Sequence, residues 1–99
     1  MKNYELLCII KTSLDMDSTE QVIQNINEAV SNFGGKVFSV DKIGRKKIAY
    51  EINGSRDGFY VVFNMELPED KVAEMRRYLK LNENVIREMI QVKKKAVAV

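Results

Sequence analysis

Residues 59–67 read Phe59-Tyr60-Val61-Val62-Phe63-Asn64-Met65-Glu66-Leu67. Phe59, Val61, Phe63, Met65 and Leu67 alternate with Tyr60, Val62, Asn64 and Glu66, and a period of two means a β-strand with one buried face. The odd positions face a core, and Tyr60 and Val62 belong to the opposite face. Upstream, Asn53-Gly54-Ser55-Arg56-Asp57-Gly58 has turn composition. Before it, Lys36–Ile52 reads as a long strand with Val37, Phe38, Val40 and Ile43, then Ile48, Tyr50 and Ile52. The apolar phase shifts between its halves, which predicts a bulge or bend near Gly44. The two strands form a β-hairpin.

The flanks complete the pattern. Downstream, Pro68-Glu69-Asp70 predicts a helix with Pro at the first helical position and acids in the first turn. Val72, Met75 and Leu79 mark its buried face, and Asn82-Glu83-Asn84 ends it. Val85–Val92 is a last strand with Ile86, Ile90 and Val92 in one phase. Upstream, Val22, Ile23, Ile26, Ala29, Val30 and Phe33 fall at helical spacing. Asp17 and Glu20 have capping-box spacing at the start of that helix, and Gly34-Gly35 ends it. Tyr4–Ile10 is a short first strand. The order β-α-β-β-α-β, with right-handed crossovers, predicts an α+β, ferredoxin-like fold. Its four-stranded antiparallel sheet carries both helices on one face, with strands one and three central and the other face open. Residues 1–95 are expected to form one domain, with 96–99 a short tail.

Composition narrows function. The chain has 99 residues, 16 Lys+Arg against 14 Asp+Glu, one cysteine and no histidine. Residues 1–35 carry two basic and five acidic side chains, net −3, and residues 36–99 carry fourteen and nine, net +5. Such asymmetry can steer one face toward phosphate. The lone Cys8 permits no internal disulfide, and without histidine there is no Cys–His pair. No glycine-rich phosphate loop precedes a helix, and Asp15, Asp17 and Glu20 are explained as capping residues. No enzyme, metal, cofactor or small-molecule substrate is indicated. Lys2 and Glu5 leave only the run Leu6–Ile10, too short for a secretory leader or a membrane span.

The basic residues point to RNA. Arg45, Lys46 and Lys47 stand together on the second strand, Lys80 ends the second helix beside Asn82, Arg87 lies on the fourth strand and Lys93 follows it. If Ile86 and Ile90 face the helices, Arg87 joins Tyr60 on the open face. Cations rimming an exposed aromatic suit phosphates and base faces. Tyr4 and Tyr50 are further aromatic candidates, each also in phase with core residues.

Gly44-Arg45-Lys46-Lys47-Ile48-Ala49-Tyr50-Glu51-Ile52 resembles the signature of the bacterial small-subunit ribosomal protein number six family, in which Gly and basic or polar residues precede Leu-Ala-Tyr, a variable position and Ile. Tyr4-Glu5, Gly34-Gly35-Lys36-Val37, Gly58-Phe59-Tyr60 and Asn84-Val85-Ile86-Arg87 fall in the family's order over nearly the whole chain. Ile48 replaces the usual Leu, Glu51 stands where Pro is common, Lys47 where Arg or Gln is, and Glu88 where an apolar or small residue is. The resemblance implies a structural, non-catalytic component of the small ribosomal subunit, cytoplasmic and on the ribosome. It implies binding to the central domain of small-subunit ribosomal RNA as a heterodimer with ribosomal protein number eighteen. RNA contacts are then expected from Lys2, Tyr4, Arg45, Lys46, Lys47, Tyr60, Lys80, Asn82, Arg87 and Lys93, and partner contacts from Lys46, Ile48 and Tyr50 along the second-strand edge. Two alternatives share the element order: an RNA-recognition-motif-like binder of single-stranded RNA, faintly echoed by Gly58–Phe63, and a dimeric regulatory domain binding a small molecule.

Overall fold

A computed structural model describes residues 2–52 and 55–93, those at 49–52, 55 and 56 by backbone alone. The elements run β1 (Lys2–Ile10), α1 (Met16–Asn32), β2 (Lys36–Ile52), β3 (Ser55–Leu67), a 3-10 turn (Glu69–Lys71), α2 (Val72–Leu81) and β4 (Val85–Val92). The strands form one antiparallel sheet in the order β2-β3-β1-β4. The expected β-α-β-β-α-β arrangement therefore holds, with β1 and β3 central.

The alternation of β3 becomes two faces. Val61, Phe63, Met65 and Leu67 are all at most 1% exposed and pack under the helices with Leu6, Cys8 and Ile10 of β1. Helix α1 adds Val22, Ile23, Ile26, Ala29 and Val30, and α2 adds Met75 and Leu79. Fully burying a Val, Leu, Ile or Phe side chain stabilises by about 1.5–3 kcal/mol, so this one layer supplies most of the driving force. Cys8 lies within it, and burial pushes its thiol up to about 12.

Native protein at pH 8 should therefore resist thiol reagents, labelling only as fast as it unfolds. The unfolded thiol ionises near its ordinary value of 9.0 while the folded one keeps its proton. Stability then falls as pH rises from about 9, by at most about 1.4 kcal/mol per unit for this group. Rapid labelling without denaturant would contradict the burial.

Several local expectations are corrected. Asp15, not Asp17, caps α1: Ser18 N–H donates to Asp15 Oδ1 at 2.7 Å. These hydrogen bonds hold the Asp15 carboxyl below its usual range. Glu20 instead reaches across to pair with Lys42 on β2. Pro68 does not begin α2; its extended ψ of 136° launches the 3-10 turn, and α2 starts at Val72. Strand β3 begins at Ser55, with Ile52 opposite Ser55, so Ser55–Gly58 is strand rather than turn. Asn53 and Gly54, and the tail at 94–99, lie outside the described residues.

The end of α1 is as expected. Gly34 takes φ +86°, its N–H bonds Ser31 O, and the Gly35 N–H bonds Val30 O at 2.9 Å, which makes a Schellman motif. Gly44, at φ +106°, follows the register shift between Lys42 and Gly44, so the bulge expected there is present. A further shift between Val37 and Ser39 leaves Phe38 as an extra residue, and β4 is irregular opposite Ile9/Ile10. That irregularity puts Val85, not Ile86, opposite Ile10 and against the core. Val92 keeps its phase with Ile90, opposite buried Tyr4, but at the end of the strand it is 60% exposed. Glu88 is half-buried opposite Cys8.

Candidate functional site

The sheet face away from the helices is assembled by register alone. Its cross-strand rows are Gly44–Tyr60–Ile9–Arg87, then Asp41–Val62–Leu7–Met89, then Ser39–Asn64–Glu5–Gln91, then Lys36–Glu66–Asn3. The last row is extended by Lys93, whose N–H donates to Asn3 O at 2.9 Å. The first two rows are mainly apolar and the last two polar, so the face has an apolar and a polar end.

At the apolar end, Tyr60 lies half-buried between Gly44 and Ile9. Gly58 is required there: a Cβ would come within 2.2 Å of Ile9 Cγ2 and 3.6 Å of Ile48 Cδ1. Ile48 thus helps cover Ile9, which is only 5% exposed although it lies on the open face. Lys46, opposite Gly58, and Arg87, opposite Ile9, bring exposed cations to either side of this surface.

At the polar end, Lys93 Nζ donates to Asn64 Oδ1 at 2.8 Å, and Asn64 Nδ2 donates to Ser39 Oγ at 2.9 Å. These three lie with Asn3 and Phe38 around a depression of about 230 Å³. Phe38 is 54% exposed, with Lys36 Nζ 5.7 Å from its ring centroid.

The other sequence-predicted residues scatter, and the single basic rim is corrected. Arg45 stands opposite Phe59 on the helix side of the β2 edge, not on the open face. Its Nε bonds Asp57 Oδ2 at 3.0 Å, while Thr12 Oγ1 donates to Asp57 Oδ1 at 2.9 Å. Those bonds, Thr12 first, hold the Asp57 carboxyl below its usual range. Arg87 is three strands away, about 14 Å at ordinary strand spacing, and on the opposite face. Lys47 is exposed opposite Asp57, and Lys80 is exposed in the last turn of α2. Lys2 pairs with Glu69 at 3.3 Å.

Tyr4 is also corrected as open-face aromatic surface, because it is 5% exposed and belongs to the core. Asn82 is the C-cap of α2, and its Oδ1 accepts from Asn84 N–H at 3.0 Å, a loop-shaping role. The Tyr50 side chain lies outside the described residues. The residues brought together on the open face are therefore Lys46, Ile48, Tyr60, Arg87 and Lys93. Sequence reading missed Asn3, Leu7, Phe38, Ser39, Asn64 and Met89. The alternation of β3 already put Asn64 beside Tyr60, but unbroken alternation along β2 would have put Phe38 in phase with core-packed Val40, and the shift between Val37 and Ser39 separates the two.

Among the described residues no group of three or more His, Cys, Asp or Glu could hold a metal ion, and no helix is long and apolar enough to cross a membrane. The family model described as Ribosomal protein S6 matches residues 3–91. The chain is 41% identical to the small ribosomal subunit protein bS6 of Clostridioides difficile over 92 residues, 93% of this chain and 99% of the relative. It is 37% identical to that of Halalkalibacterium halodurans over 90 residues, 91% and 95% of the two. The crystal structure of 30S ribosomal protein S6 from Thermotoga maritima superposes with TM-score 0.87 at 22% identity, over 93% of this chain and 87% of that one, which shows the shared fold. The chain therefore belongs to the ribosomal protein S6 family, as a structural, non-enzymatic component of the small ribosomal subunit at work on the ribosome in the cytoplasm.

Proposed function

We propose that the protein binds the central domain of small-subunit ribosomal RNA together with ribosomal protein number eighteen, using the open sheet face. The carrying observation is that face itself, with aromatic and aliphatic side chains at one end, amides and a hydroxyl at the other, and cations at both. Soluble domains seldom leave a contiguous apolar patch bare without a partner for it. Leu7, Tyr60, Val62 and Met89, beside Ile48, form the surface that suits the partner protein. Lys46 and Arg87 supply cations for phosphates, because each lies on that side of the sheet, and Lys93 adds a cation at the polar end. Lys2, Lys47 and Lys80 lie off it, and they add to the field rather than to a shared contact. Arg45, tied to Asp57, serves mainly to hold the β2–β3 hairpin to the β1–α1 loop through Thr12.

Reconstitution on ribosomal RNA fragments, with and without the partner, tests this. Binding should be tight only with the partner and should weaken steeply with salt. Lys46→Ala should lower the slope of log affinity against log salt by about one. Equal affinity at low and high salt, or no gain from the partner, would reject the reading.

A further inference from the structure

Phe38 is out of place on a solvent-facing strand edge. A side chain of that size is 54% exposed because the register shift between Val37 and Ser39 leaves it off the ladder. The same shift sets Ser39 directly opposite Asn64 and so completes the polar depression beside the ring. The network inside is preorganised. With Lys93 Nζ donating to Asn64 Oδ1, the amide has one orientation, and its nitrogen turns to Ser39. Among the described residues, the second Asn64 N–H, the Ser39 hydroxyl proton and further Lys93 N–H groups remain to be given, so the depression is rich in donors.

We propose that this depression takes a single unstacked nucleotide of the bound RNA, its base lying on Phe38 and its acceptor edge meeting Asn64, Ser39 and Lys93. This rests on the RNA-binding function proposed above and assigns it a second, base-reading contact. Base-on-aromatic stacking with amide and hydroxyl hydrogen bonds is how sheet surfaces hold single-stranded RNA. The neighbouring charges select the base over the backbone. Glu5 lies opposite Asn64 and Glu66 opposite Lys36, so two carboxylates flank the two cations. A duplex, with its dense phosphates, gains little there. A protein segment fits less well, because the apolar surface it would bury lies at the other end of the face.

The test uses the full chain with partner protein and a central-domain RNA fragment, following affinity across a salt series and chemical protection of unpaired bases. Phe38→Ala should bind about tenfold more weakly with an unchanged salt slope, since stacking releases no counterions. Phe38→Trp should retain affinity, and Asn64→Ala should lose several-fold. One unpaired nucleotide protected by the parent should become reactive with Phe38→Ala. Phe38 is exposed, so its variants should melt with the parent; Asn64→Ala reads the same pocket should either fail to fold. Parental affinity for Phe38→Ala would overturn the proposal while leaving RNA binding intact. So would a Phe38→Ala loss seen in titrations with the partner alone, which would assign the pocket to protein. If the parent binds no RNA, both readings fall together.

Discussion

Phe63→Ala is expected to cost about 3–5 kcal/mol, lowering Tm by more than about 12 °C in a domain of this size. Phe63 is fully buried in a central strand, with Leu6 of β1 and Val40 of β2 directly across from it. Truncation opens a cavity at the centre of the single core, where backbone ladders on both sides prevent collapse. Natural domains of this kind are stable by about 5–15 kcal/mol, so the variant should be marginal at 37 °C. Urea unfolding followed by circular dichroism checks it, with the midpoint falling and the m-value retained. A loss below about 1 kcal/mol would mean that the core can close over the missing ring.

Gly35→Ala is expected to cost about 1–3 kcal/mol, near the upper end of that range. An added Cβ would lie 2.4 Å from Glu66 O, 2.8 Å from Leu67 Cδ1 and 3.1 Å from Val30 Cγ1. The nearest atom is backbone, in the ladder that pairs Lys36 with Glu66, so it cannot retreat without disturbing β2 and β3. Gly44→Ala provides the contrast. Among the described residues nothing lies within 4 Å of its Cβ position, and its φ of +106° is the strained feature. Thermal melts of the two variants should therefore rank Gly35→Ala as the less stable. The reverse order would show that backbone conformation, not space, governs these glycines. Gly35 also lies at the end of the α1 Schellman motif, so its loss would loosen the entry to the strand that carries Phe38 and Lys46.

The element order was legible in the chain because it depends on local periodicity. The alternation of Phe59–Leu67 and the helical spacing of Val22, Ile26 and Val30 each demand one buried face, whatever lies opposite. Gly34-Gly35 as a helix end and Gly44 as a bulge were equally local, since each answers to one backbone conformation. The β-α-β-β-α-β order then left one sheet face uncovered, so the presence of an open face carrying Tyr60 was written in the chain.

Which side chains meet on that face was decided by tertiary structure. Strand pairing has a period of two, so a one-residue irregularity moves a side chain to the other face. The bulge at Phe38 brought an aromatic to the polar depression, and the one before Gly44 left Arg45 on the helix side while Lys46 faced out. The irregularity in β4 exchanged Val85 for Ile86 against the core. Where no glycine marks it, a bulge is settled by how long strands twist against their neighbours over a shared core, a property of several segments together. Charge clustering in sequence therefore could not tell Arg45, tied to Asp57 behind the sheet, from Lys46 in front of it.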